Sequence, residues 1–314
     1  MRDIFIAGEH IAPGEKKKLN LQIARLPTGT LIDIPVFVNR AEQDGPTLLL
    51  MAGMHGDEVN GVEIMRRMMA RGYTIPMKGT IVCIPILNVY GYLIFSRQTP
   101  DGKDVNRMFP GSNHGSLGSK VAYTLMHEVI PMIDYGVDFH TGGAERSNYP
   151  QVRGNFKDPI SLELAEAFAA PFMVNSGYRP KSLRKEAFNK GKRILVYEAG
   201  ESLRFDADAI EEGISGARRV MKYLGIIPDA MDPIYKPRKI IKSSWVRARA
   251  AGLYNNIVNN GSYVARNEVL GVVSDPFGEY EKTVRAPHAG YVIAVNYNPV
   301  VNRGEALVHL GTEG

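Results

Sequence analysis

The chain has 314 residues, 44% hydrophobic and 23% charged, a balance that excludes disordered, collagen-like and low-complexity classes. Its length exceeds one typical domain of about 100–200 residues, so one large α/β unit with a smaller appendage is expected. The net charge of +5 comes from scattered basic residues rather than one basic helix face or an aromatic-bearing strand, which argues against nucleic acid. A mildly basic surface or a funnel for a small anion fits better.

The opening segment MRDIFIAGEHIAPGEKKK lacks the apolar core of a signal peptide, and no apolar run reaches the roughly 18 residues of a membrane span. No membrane partner is expected, and the cytoplasm is the default location. The single cysteine, Cys83, cannot form an internal disulfide and lies in the apolar run TIVCIPILN, where it reads as a buried core thiol in a reducing compartment.

In chain order, the apolar runs at 47–54, 81–88, 136–140, 172–175 and 193–200 read as buried strands: short, apolar on both alternations and bounded by turn residues. Helical patterns separate them. VNGVEIMRRMMARG places Val59, Val62, Met65 and Met69 along one stripe with Gly72 as a stop. SKVAYTLMHEVI repeats Val121, Leu125 and Val129, and DADAIEEGISGARRVMKYLG repeats Ile210, Ile214, Ala217, Met221 and Leu224 before Gly225. The alternation implies an α/β fold with a mixed, mostly parallel sheet and helices on both faces.

From Asn88 to Ser119 no periodicity is evident, and a loop well beyond about 15 residues in a compact domain is usually functional or disordered. This one carries Arg97, Asp101, Asn106, Arg107 and Phe109, which is too specific for a disordered linker. After about residue 235 the helical patterns stop, and β-formers alternate with the turns NNG, DPFG, PHAG and NRG, as in a small all-β barrel or sandwich. The boundary is placed at residue 238, giving a unit 1–238 that carries the chemistry and a β unit 239–314.

Of seven histidines, His55 and His140 each fall where an apolar strand run ends. Ligands gather outside the carboxyl ends of strands in open α/β sheets, so both imidazoles could converge on one crevice. Glu58, three residues after His55, could turn its carboxylate to the same point. Two imidazoles and one carboxylate form a catalytic zinc set with an open fourth position. H-x-x-E also occurs by chance, and Glu58 as a first-turn acid favoured by the helix dipole is the competing reading. Asp138, two residues before His140, either orients a ligand or serves as a capping or salt-bridging carboxylate.

The motifs GMHGDE, DVNRMFPG, DFHTGG and VYEAGE, in that order across residues 30–230, resemble the succinylglutamate desuccinylase/aspartoacylase family of zinc-carboxypeptidase-like hydrolases. The resemblance implies that His55, Glu58 and His140 bind Zn2+ and that Glu198 is the general base acting on the attacking water. It further implies that Asn106 and Arg107 hold a substrate carboxylate, a role suited to the guanidinium fork. Arg97 is similar in placement to the arginine that stabilises the developing oxyanion, although RQTPDGKDVNR is slightly longer than the corresponding segment of short aspartoacylases. Glu201 reads as a surface carboxylate.

The basic stretch GYRPKSLRKEAFNKGKR reads as a solvated loop or a lid over an anionic substrate. The C-terminal unit resembles a biotinyl/lipoyl-like half-domain, but its hairpin VNYNPV has no lysine to modify, which argues against a swinging-arm carrier. In the family this region restricts access to the zinc crevice. Tyr291, Tyr297 and His288 are the candidates to reach it, against packing or surface roles.

The leading expectation is a cytoplasmic zinc amidohydrolase that deacylates a small anionic N-acyl amino acid, with ester cleavage open through the same oxyanion. The alternatives are a metallocarboxypeptidase for short peptides on the same zinc set and a non-catalytic binding protein on the same scaffold. A homo-oligomer, by default a dimer, is the expected assembly.

Overall fold

A computed structural model describes residues 2–25, 28–143 and 146–314. A small hairpin, β1 (Phe5–Ile6) and β2 (Glu9–His10), precedes the antiparallel pair β3 (Lys16–Arg25) and β4 (Leu31–Arg40). Then come β5 (Gln43–Ala52), α1 (Val59–Ala70), β6 (Lys78–Ile84), α2 (Val89–Leu93), α3 (Leu117–Thr124), β7 (Tyr135–Gly142) and β8 (Arg146–Gly154). They are followed by α4 (Pro159–Phe168), β9 (Phe172–Asn175), α5 (Leu183–Asn189), β10 (Arg193–Glu201) and α6 (Ala207–Tyr223). Only strands follow: β11 (Arg238–Arg247), β12 (Gly252–Asn256), β13 (Tyr263–Val264), β14 (Val269–Ser274), β15 (Glu281–Arg285), β16 (Gly290–Asn296), β17 (Val300–Val301) and β18 (Ala306–Glu313). No helix among the described residues is long and apolar enough to cross a membrane.

Twelve strands form one mixed sheet in the order β13-β16-β18-β11-β9-β8-β10-β7-β5-β6-β4-β3. Parallel pairing runs through β6, β5, β7 and β10, and again through β8, β9 and β11. The remaining pairs are antiparallel, so "mostly parallel" describes the centre and not the sheet as a whole. β3 and β4 explain part of the difference: they alternate buried and exposed residues, the signature of a half-covered antiparallel pair rather than a continuous apolar run. The C-terminal strands add to the same sheet, through β11 on β9 and β16 on β8. A separate four-stranded sheet, β15-β14-β12-β17, completes that region around its own apolar cluster, which includes Tyr254, Leu270, Val295 and Leu307.

The centre of the sheet is buried on both faces. Leu49 and Met51 of β5 pack with Val121 and Leu125 of the α3 region and Leu183 of α5, while Leu48 and Leu50 pack with Ile64, Met65 and Met68 of α1 and Ile210 and Ile214 of α6. The buried stripe of α1 therefore runs through Gly61, Ile64, Met65 and Met68, whereas Val59, Val62 and Met69 are only half-buried. Gly61 lets this face of the helix lie close on β7, since a Cβ there would be 2.7 Å from the Phe139 carbonyl oxygen. Val121, Leu125 and Val129 are all buried, but α3 loosens into a π-helical turn at Leu125–Val129. Cys83 is fully buried, and burial pushes its thiol up to about 12.

Candidate active site and metal centre

The crevice opens where β5, β7 and β10 end. The chain leaves β5 through Gly53, at φ +64°, and Gly56, where a Cβ would fall 1.9 Å from the Gly91 carbonyl carbon. At Gly53 a Cβ would lie 2.9 Å from Ile86 Cα, so hydrogen alone lets the chain pass the end of β6 there, and at Gly56 it lets the turn from His55 to Glu58 press against Gly91. Glu58 then stands at the N-terminal boundary of α1 without a capping side-chain bond, its carboxylate turned away from the helix into the crevice.

His55, Glu58 and His140 converge, with one ligand atom from each lying within 4.8 Å of the others. His55 Nδ1 is 2.7 Å from Glu58 Oε1, and His140 Nδ1 is 2.7 Å from Glu58 Oε2. Each outer imidazole nitrogen has its own carboxylate: His55 Nε2 lies 3.2 Å from Asp104 Oδ1, and His140 Nε2 lies 2.8 Å from Asp138 Oδ2. All three converging side chains are buried. The donor set fits a divalent cation: hard and borderline donors, both inner nitrogens on one point, and outer carboxylates that fix ring orientation.

The electrostatics match that fit. Burial would lower the His140 pKa, but Asp138 and Glu58 override it and hold the imidazole well above its usual value. His55 is raised in the same way, against burial, by Glu58 and Asp104. Burial would raise Glu58, yet the two histidines hold it well below the usual carboxylate range. These are the imbalances expected where protons stand in for a cation.

Glu198 lies on β10 directly across from His140 on β7. Its Oε2 accepts from Asn148 Nδ2 at 2.6 Å, and its Oε1 is 3.6 Å from Arg153 Nη1. The long loop after α2 supplies the rest. Arg97 Nη1 lies 3.2 Å from both Glu58 Oε1 and His55 Nδ1, while its Nε and Nη2 donate to Asp104 Oδ2 at 3.2 and 3.0 Å. Asp104 also caps the 3-10 turn Val105–Arg107 by accepting from the Asn106 amide at 2.8 Å. Asn106 Oδ1 accepts from the Leu183 amide at 3.0 Å, tying the turn to the start of α5. Arg107 donates to the Asn106 carbonyl, and burial lowers its pKa despite Asp104, with Arg179 and Arg97 adding to the effect.

The seven residues expected to hold metal, base, oxyanion and substrate carboxylate line one cavity of about 450 Å³: His55, Glu58, Arg97, Asn106, Arg107, His140 and Glu198. Asp138 takes the orienting position behind His140, and Glu201 pairs with Arg204 outside the cavity. The basic stretch folds in part as α5, and Arg184 is fixed by the carbonyls of Arg153, Ser176 and Gly177. Tyr291 packs on Phe172 and Tyr263, His288 faces Ser244, and neither they nor Tyr297 line the cavity. Trp245 of β11 does.

Sequence reasoning missed Asp104, Asn148, Arg153 and Trp245. Asp104 carried a local signal, an aspartate two residues before Asn106 in a capping position. The other three reach the cavity by strand pairing between distant segments, which no local pattern reports.

The family model described as Succinylglutamate desuccinylase/Aspartoacylase catalytic domain matches residues 44–224. The N-alpha-acetyl-L-2,4-diaminobutyric acid deacetylase of Halomonas elongata is 26% identical over 288 residues, covering 87% of this chain and 84% of that protein. The crystal structure of a succinylglutamate desuccinylase/aspartoacylase from Rhodobacter sphaeroides superposes with a TM-score of 0.86 at 25% identity, covering 95% of each chain. The product-bound ectoine utilization protein of Ruegeria pomeroyi shares the fold, with a TM-score of 0.85 at 24% identity over 95% of this chain and 94% of its own. More than half of the chain falls within the matched catalytic domain, and it belongs to the succinylglutamate desuccinylase/aspartoacylase family.

Proposed function

We propose that the chain is a zinc-dependent hydrolase that removes the acyl group from a small N-acyl amino acid. The observation that carries this reading is the convergence of His55, Glu58 and His140 beside Glu198 in an arginine-lined cavity. The deacetylase name of the Halomonas relative points to the same bond. His55 and His140 through Nδ1, and Glu58 through its carboxylate, would hold the ion. A zinc ion held there would supply polarisation of the scissile carbonyl and a more acidic water.

The chain's own groups supply the other steps. Glu198, held by Asn148 and Arg153, takes a proton from the attacking water and returns it to the leaving amine. Arg97 faces the oxygen that becomes negative as the carbonyl is attacked. Asn106 and Arg107 take the substrate's α-carboxylate; Arg107 has no carboxylate partner among the described residues, and Asn106 has only its Oδ1 engaged by the Leu183 amide. Residues 239–314 form the second unit, with their own apolar cluster and one side chain, Trp245, in the cavity.

The test is metal analysis of the purified protein together with turnover of N-acyl amino acids and dipeptides. Bound zinc is expected, with N-acyl amino acids cleaved and activity lost on chelation. Glu198→Gln is expected to lower kcat by about 10²–10⁴ with zinc content unchanged. Turnover of dipeptides alone would establish a carboxypeptidase instead. A zinc-free protein indifferent to His55→Ala would establish a binding protein.

A further inference from the structure

Gln151 of β8 is fully buried, although its partner Phe172 on β9 belongs to the apolar cluster of Phe172, Val174, Ile240 and Ile293. On its other side its partner is Glu198 of β10. Its Oε1 accepts from Arg153 Nε at 3.2 Å, and its Nε2 is buried with no acceptor among the described residues. That contact fixes which way the amide points, because a guanidinium can only donate. A buried donor without an acceptor costs stability, and a leucine here would avoid that cost while extending the apolar cluster. Folding alone does not account for a glutamine at this place.

The pairing of β8 with β10 brings this residue into line with the site. Glu198 pairs with Gln151 and Gly200 with Asn148, so β8 carries one residue more than β10 over this span. The extra residue falls within Tyr149–Pro150, and a proline, with no amide hydrogen for a ladder, suits such a bulge. Residues three apart on a regular strand face opposite sides. With the bulge between them, Asn148 and Gln151 act on the same carboxylate. Asn148 Nδ2 donates to Glu198 Oε2 at 2.6 Å, and Gln151 holds the arginine whose Nη1 lies 3.6 Å from Glu198 Oε1. The first contact is a short hydrogen bond, and the second is an ion pair beyond hydrogen-bond reach. Oε2 is thus occupied, while Oε1 receives no hydrogen bond from the described residues.

We propose that Gln151 is a positioning residue for the general base: it anchors Arg153 through Nε, so that the guanidinium faces Glu198 Oε1 without closing on it. Oε1 keeps room to take the proton from water, while the Asn148 bond and the nearby positive charge fix the rotation of the carboxylate. An Arg153 released from Gln151 would close on Oε1 as a charge-assisted pair and occupy the oxygen that must accept the proton. The buried glutamine is kept at a cost in stability, the pattern expected where a local rule yields to function. The inference rests on the reading of Glu198 as the base of a deacylase, whereas the placement of Arg153 by Gln151 does not.

The experiment measures kcat and KM of the zinc-loaded protein with the fastest-cleaved member of a panel of N-acetyl and N-succinyl amino acids, together with zinc content and urea midpoints. Gln151→Leu is expected to lower kcat about 10–100-fold with KM within about twofold of native. Its zinc content should be unchanged and its urea midpoint equal to or above the native one. Gln151→Glu keeps an acceptor for Arg153 and is expected to exceed Gln151→Leu in kcat. Because Gln151 acts through Arg153, the double variant Gln151→Leu/Arg153→Leu should be no slower than Arg153→Leu alone. A native kcat in Gln151→Leu, a loss seen in KM instead, a fall in urea midpoint that accompanies the loss, or losses that add in the double variant would overturn the proposal. A further readout needs no turnover: the Arg153 Nε–H signal in nitrogen-edited NMR spectra, identified by its absence in Arg153→Leu, should exchange with water about tenfold faster or more in Gln151→Leu. If the native protein cleaves no amide and that exchange still accelerates, the deacylase reading falls and the placement of Arg153 by Gln151 stands. Unchanged exchange overturns the placement.

Discussion

Replacing Asp104 by asparagine separates two tasks that one carboxylate performs. Its Oδ1 accepts from the Asn106 amide at 2.8 Å and faces His55 Nε2 at 3.2 Å, while Oδ2 receives two donors from Arg97. Asparagine caps a helical turn about as well as aspartate, so the turn that carries Asn106 and Arg107 should survive. What Asp104→Asn removes is the negative charge behind His55. Loss of an outer partner of a metal-ligating histidine typically weakens metal binding about 10–100-fold, or about 1.4–2.7 kcal/mol. Asp104→Ala removes the cap as well and should cost about 1 kcal/mol more in folding stability. Zinc affinity from competition with a chromophoric chelator, and denaturant midpoints of the metal-free proteins, measure the two effects separately. If Asp104→Asn binds zinc within twofold of the native protein, Asp104 does not position His55 and the reasoning fails. Equal denaturant midpoints for the asparagine and alanine variants would likewise remove the capping role.

Two further perturbations reach other levels of the structure. Gly56→Ala places a Cβ 1.9 Å from the Gly91 carbonyl carbon and 2.1 Å from the Tyr92 amide nitrogen, both backbone atoms. A loss of about 1–3 kcal/mol is expected, together with weakened zinc binding, because the turn joins His55 to Glu58; unchanged affinity by the same competition assay would count against that coupling. Glu63 is held down to about 2 first by its hydrogen bond from Arg66, whose Nε donates at 2.6 Å, and then by that from Arg67. A depressed carboxylate contributes stability that is present above its unfolded value, near 4.5, and is lost as pH falls through about 2. The deficit of Glu63→Gln in urea midpoints should therefore be about 1 kcal/mol near pH 6 and vanish towards pH 2; a constant deficit would mean that packing, not charge, holds the group.

The elements that could be read from the chain are those whose stabilising contacts repeat locally. The apolar runs at β5, β6, β7, β9 and β10 announce themselves because consecutive residues are buried, and the stripe Ile210, Ile214, Ala217 and Met221 of α6 because its buried residues recur at the helical period. The stripe of α1 was misplaced by one face because Gly61 contributes closeness rather than apolar area. The convergence of the three proposed metal ligands was legible for a different reason: His55 and His140 stand at strand ends, and Glu58 follows His55 by three residues. Asn148, Arg153 and Trp245 were not, since each is brought in by pairing between β8, β10, β11 and β18, segments far apart in sequence. β3 shows that an available signal can also be overlooked, for Leu19, Leu21 and Ile23 alternate with polar residues in plain view.

Trp245 of β11, which stacks on its cross-strand partner His309 of β18 with ring centroids 4.7 Å apart, has a consequence for the order in which the protein takes shape during synthesis. The proposed metal ligands lie within the first 140 residues and Glu198 follows on β10, so these groups leave the ribosome well before β11 and β18. The proposed ligand set can thus be complete before the cavity is. A nascent chain paused after α6 would present an open crevice with its arginines still in water, and only the closing of β18 on β11 would give the cavity its last wall.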